Sequence, residues 1–128
     1  MIYVDTSVVL AALLSEDRRP PEAFWDQSLV SSRLVAYETW VRLGALGCAA
    51  SHGEAAQTLL ARLAFAELAP EVLARALEPF PVAVRTLDAL HLSTLHFLSQ
   101  RLGSLALATY DHRMIDAARA LAFDIHPL

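Results

Sequence analysis

Four carboxylates stand out by position in the sequence: Asp5, Glu38, Asp88 and Asp111. Asp5 follows the apolar run Ile2-Tyr3-Val4, and Asp111 follows the run from Leu105 to Thr109, so each falls where a strand hands over to a helix. An Asp there commonly caps orphan N–H groups of the helix. In an open α/β sheet, however, ligands bind beyond the carboxyl ends of the strands, and two Asp residues on neighbouring strands would face one crevice. Glu38 falls among Leu34, Val41, Ala45 and Cys48, which recur at helical spacing. On a buried face a carboxylate must be paired, protonated or bound to a cation. Arg42, four residues on, offers the ordinary alternative of a helical ion pair. Asp88 opens a stripe continued by Leu92, Leu95, Ser99 and Leu102, and an acid at that point can equally serve as a cap or answer the helix dipole.

If the four acids share a crevice, their chemistry follows from electrostatics. Two ionised carboxylates about 4 Å apart repel by about 4 kcal/mol at an effective dielectric near 20. A hard divalent cation relieves that repulsion, and Mg²⁺ in particular takes oxygen ligands while keeping some of its waters. No His-x-Glu, His-Glu-x-x-His or Cys-x-x-Cys pattern offers a competing zinc site. Carboxylates, a metal and its water point toward phosphodiester hydrolysis.

The elements needed to position these acids are legible in outline. The 128 residues fit one domain, 1–128, with 55% hydrophobic residues available for a core. The strand at Ile2-Tyr3-Val4 leads through Asp5-Thr6-Ser7 into a helix from Val8 to Leu14. Pro21 suits the start of a helix holding Phe24 and Trp25. Leu29-Val30-Ser31 reads as a strand, and Ser31 or Ser32 can cap a helix from about Arg33 to Cys48. Further helical segments run from Gly53 to Leu63, from Pro70 to before Pro79, and from Thr86 to Leu102, the last closed by Gly103. A strand over Leu105 to Thr109, a helix from Asp111 to Ala122 and an edge strand Asp124-Ile125-His126 complete the chain. Strands alternating with helices imply an α/β fold: a three-layer α/β/α sandwich on a short, mainly parallel sheet.

Composition narrows the function classes. The formal charge is −4, with ten Arg and Lys combined, every one of them Arg. That balance argues against non-specific duplex binding through a broad basic face, but a local Arg cluster can still hold phosphate. The longest apolar run, Val8 to Leu14, is too short to span a bilayer and lacks the flanks of a signal peptide, so the expectation is a protein starting at Met1, in the cytosol and off the membrane. The single Cys48 suits a reducing compartment and a packed role. Among the remaining polar residues, His91 shares a helix face with Asp88 and is expected to be a packed or hydrogen-bonded core residue rather than catalytic. His112 is expected to be exposed. Arg33, Arg85 and Arg113 lie near the acids in the predicted order and could contact phosphate. Trp25 and Trp40 are expected as core or interface anchors.

The order of these pieces resembles the PIN-domain family, particularly its short toxin branch, the VapC-type ribonucleases of toxin–antitoxin pairs. The matching segments are Ile2 to Ser7, Tyr37-Glu38, Thr86-Leu87-Asp88-Ala89-Leu90-His91-Leu92, Ala108-Thr109-Tyr110-Asp111 and Ala117-Ala118-Arg119. They span essentially the whole chain. The resemblance implies that Asp5, Glu38, Asp88 and Asp111 form an acidic quartet binding Mg²⁺ or Mn²⁺, supported by the Thr109 hydroxyl and by the polar turn Thr6-Ser7, with Asp116 as a candidate outer-shell acid. It further implies a homodimer, a structured RNA substrate such as tRNA or rRNA, and a cognate antitoxin. A housekeeping RNA-processing nuclease or an inactive PIN-like binding module would share the same outline. A haloacid dehalogenase type phosphatase also begins with a strand ending in Asp, but it needs a second Asp where this chain has Ser7, and a Lys that is absent.

Overall fold

The computed structural model describes residues 1–128. Five short strands pair in the order β3-β2-β1-β4-β5, every pair parallel. They are β1 (Ile2–Val4), β2 (Leu29–Ser32), β3 (Ala64–Ala66), β4 (Ala106–Ala108) and β5 (Asp124–Ile125). The helices are α1 (Thr6–Leu13), α2 (Leu34–Ala45), α3 (Ala49–Leu60), α4 (Pro70–Ala76), α5 (Thr86–Leu102) and α6 (His112–Ala120).

Alternation along the central strands builds the three layers. Ile2, Val4 and Leu29 join Val8, Val9, Val35, Leu43, Ala56 and Leu60 in one apolar cluster, so α1, α2 and α3 cover that face. Tyr3, Val30 and Leu107 point the other way, into a cluster with Leu92, Leu95, Leu98, Met114 and Ala117 from α5 and α6. Helix α4 lies against α5. This is the expected α/β/α sandwich, with a sheet parallel throughout. No helix is long and apolar enough to cross a membrane.

Several local expectations need correction. The helix read to about Cys48 ends earlier, at Ala45, where Gly47 adopts φ +68° in a left-handed turn, and α3 begins at Ala49. Gly53 therefore lies inside α3 rather than opening it. A Cβ at Gly53 would come within 3.2 Å of the Trp40 ring, so its bareness lets α3 approach α2 closely. Phe24 and Trp25 sit in a short 3₁₀ turn, Glu22–Asp26, and both are buried. β3 was not anticipated at all. On α2 the buried row is Val35, Thr39 and Leu43, whereas Val41 is 70% exposed and Ala45 is also exposed, so Glu38 sits beside the buried row and not within it.

Candidate functional site

The sheet order brings the first and last acids together. β1 and β4 are neighbours, with Val4 opposite Ala108, so Asp5 and the Thr109–Asp111 segment leave adjacent strand ends on the same side. Both acids also take the bland role, capping α1 and α6. Asp5 is buried, and its Oδ2 accepts from the Ser7 hydroxyl and the Thr109 hydroxyl at 2.7 Å each, with the Ser7 N–H at 3.4 Å. The Ser7 hydroxyl in turn accepts from Tyr110 N–H at 3.0 Å, and Thr109 Oγ1 accepts from Asp111 N–H at 3.0 Å. The two strand ends are thus stitched together through hydroxyls, which hold the Asp5 carboxylate in one direction. The other oxygen, Oδ1, has no protein donor.

Glu38 reaches the same place from α2. Its Oε1 accepts from Thr6 Oγ1 at 3.0 Å and from His91 Nε2 at 2.6 Å. No Arg42 ion pair forms, so that ordinary explanation of Glu38 does not apply. His91 is buried on α5, and its Nδ1 lies 2.7 Å from the Tyr3 hydroxyl, which accepts from Ser32 N–H at 3.2 Å. The imidazole is a hydrogen-bonded core residue, as expected, but the partner that makes it consequential is Glu38. Burial disfavours the charged ring and is the largest single influence, yet the Glu38 hydrogen bond together with the charges of Asp5, Glu38 and Asp88 outweighs it and holds His91 above its ordinary pKa. Burial pushes the Tyr3 phenol up, so it stays neutral.

Asp88, in the first turn of α5, and Asp111 complete the lining. Both face Arg85: Nε lies 3.4 Å from Asp88 Oδ2, and Nη2 lies 3.5 Å from Asp111 Oδ2. Asp111 Oδ1 accepts from Arg113 N–H at 2.9 Å. Asp5, Glu38, Asp88 and Asp111, with Thr6, Ser7, Arg85 and Thr86, line one cleft of about 520 Å³. As the side chains stand, no three acids or histidines converge closely enough to hold one ion directly. Thr109 sits behind Asp5. Asp116 is exposed on α6 and does not line the cleft. Arg33 is turned away, paired with Glu67 at 2.8 Å and stacked on Phe65. His112 is exposed, as expected; Trp25 belongs to the core, and the half-buried Trp40 packs against it.

With this geometry in place, comparison with known proteins is decisive for the family. The family model described as PIN domain matches residues 2–120. The chain belongs to the PIN-domain family. It is similar to ribonuclease VapC47 of Mycobacterium tuberculosis, at 30% identity over 96% of this chain and 93% of that protein. It is also similar to ribonuclease VapC46 of the same species, at 33% identity over 97% and 95% respectively. For a PIN domain the donor set is chemically consistent with a hard cation. All four acids offer oxygen only, and each has one oxygen that is not hydrogen-bonded to backbone or hydroxyl.

Sequence reasoning underrated His91. Its three-residue spacing from Asp88 was visible, but its contact with Glu38 joins positions 53 apart in the chain, which no local pattern encodes.

Proposed function

We propose that this PIN-domain protein is a divalent-metal-dependent endoribonuclease, the toxin of a toxin–antitoxin pair. The observation that carries the reading is the cleft itself: four carboxylates from the β1–α1 junction, α2, α5 and the β4–α6 junction line one side-chain-walled depression, although each comes from a distant stretch of sequence. Asp5, Glu38, Asp88 and Asp111 would hold Mg²⁺ or Mn²⁺, directly or through water. When bound, such an ion supplies an acidified water and neutralises charge on a phosphoryl oxygen.

The chain's own groups do the rest. Ser7 and Thr109 fix Asp5, and Thr6 and His91 fix Glu38, so these two carboxylates are pre-oriented before any ligand arrives. Arg85 supplies the positive charge at the cleft mouth suited to a backbone phosphate. The two VapC ribonuclease relatives support RNA as the polymer and an antitoxin as the partner. A structured RNA such as tRNA or rRNA, a homodimer and a cytosolic location form part of the same proposal.

Asp5→Asn should abolish metal-dependent cleavage of RNA while leaving the circular-dichroism spectrum unchanged. Cleavage by Asp5→Asn at the wild-type rate would remove Asp5 from the mechanism and with it this assignment. The pairing of Asp88 and Asp111 with Arg85 favours a second reading, an inert module that binds without cutting. Calorimetric titration with Mn²⁺ separates the two, because an inert module gives no site-specific heat.

A further inference from the structure

Arg85 is the only basic side chain lining the acidic cleft. Its backbone is fixed as the extended residue preceding α5, where its carbonyl accepts from Ala89 N–H at 2.9 Å. The side chain, by contrast, is 65% exposed and lies at 3.4 and 3.5 Å from its two carboxylates. Those separations are longer than a tight charge-assisted hydrogen bond, so the guanidinium is held loosely. The geometry at Asp111 is specific. Oδ1 is committed to capping α6 through Arg113 N–H, and Oδ2 is the oxygen that Arg85 faces. Oδ2 is thus the oxygen free of backbone hydrogen bonds, and a cation that approaches Asp111 there meets Arg85.

We propose that Arg85 is an internal counter-ion that occupies the Asp88–Asp111 side of the cleft, competes there with the divalent cation, and on displacement turns to the phosphate of the bound strand. This deepens the metal-dependent reading above and rests on it. The cleft needs such a charge because Asp88 and Asp111 have no other basic partner. It needs a weak one because a hard divalent ion must be able to replace it. A guanidinium on a long, exposed stem remains tethered at the cleft mouth after it is displaced, with a planar fork free for phosphate oxygens.

The test compares wild type, Arg85→Gln and Arg85→Lys by calorimetric titration with Mn²⁺, without RNA, and by RNA cleavage at saturating Mn²⁺. Arg85→Gln should bind Mn²⁺ about two- to fivefold more tightly than wild type, since a competing ion pair is gone. The same variant should show a KM for RNA raised about tenfold with kcat nearly unchanged. Arg85→Lys, which keeps the charge and loses the fork, should retain near wild-type Mn²⁺ affinity and show the raised KM. Equal or weaker Mn²⁺ binding by Arg85→Gln overturns the competition, and an unchanged KM overturns the phosphate role. Absence of Mn²⁺ heat from all three proteins removes the metal reading and this inference together, a result distinct from equal affinities.

Discussion

A single imidazole sets the direction of Glu38. In either protonation state His91 Nε2–H donates to Oε1, and the Tyr3 hydroxyl then either donates to Nδ1 or accepts from it. His91→Ala would leave a void beside Tyr3, leave the buried phenol with Ser32 N–H alone and leave Glu38 with Thr6 as its one donor. Because Glu38 keeps some access to water, we expect a loss of about 2 to 4 kcal/mol in urea unfolding, below the full cost of an orphaned buried charge. His91→Gln, which keeps a donor, should lose less. The ring's raised pKa also fixes a sign. In the metal-free protein its contribution to stability is complete below the unfolded value near 6.5 and is lost as pH rises through the folded value. Melting temperatures in chelator should thus decline on going above pH 6.5, and His91→Gln should flatten that part of the profile. A wild-type profile identical to that of His91→Gln would show that the ring carries no charge in the fold.

At the scale of elements, the cleft depends on where α5 begins and how it ends, since this helix delivers both Asp88 and His91. Its end is Gly103, with φ +87° and ψ −164°, a conformation that side chains disfavour. Gly103→Ala meets no steric obstruction, so its cost is backbone strain alone, about 1 to 2 kcal/mol by chemical denaturation, with RNA cleavage retained. No measurable destabilisation would mean that the turn relaxes without harm. Gly103 was legible because a long amphipathic run with a Gly after it has few other readings, and α5 spans Thr86–Leu102 as expected. The break between α2 and α3 was harder, because Ala and Leu continue across it and only Gly47 marks the turn. β3 was illegible for a related reason: Ala-Phe-Ala lacks β-branched residues, and as a partly exposed edge strand it shows no strong alternation. The α2 face was misread because the buried row contains Thr39, a polar residue that disguised it. Glu38 does line the cleft, but not from the middle of a buried stripe; what holds it, Thr6 and His91, comes from two other helices.

Over the whole molecule, acids that are far apart in sequence are brought together by sheet order, and the fold carries their mutual repulsion. The chain is net acidic at −4, and four of its carboxylates share one cleft with a single Arg. A ligand that neutralises this cluster and binds only the folded chain must raise its stability, by about 2.7 kcal/mol at a concentration a hundred times its dissociation constant. For a chain of this size that corresponds to a rise in melting temperature of about 10 °C. Asp111→Asn isolates the effect, because Asn caps a helix nearly as well as Asp, so α6 keeps its start while the cleft loses a charge. We therefore expect Mn²⁺ to raise the melting temperature of wild type progressively, and Asp111→Asn to begin no lower than wild type but to respond much less. That starting point follows from relieved repulsion among the remaining acids, offset by the loss of the Arg85 contact. A wild-type melting temperature that stays flat across the Mn²⁺ titration would mean that the cleft's oxygens do not share a cation, whatever their arrangement.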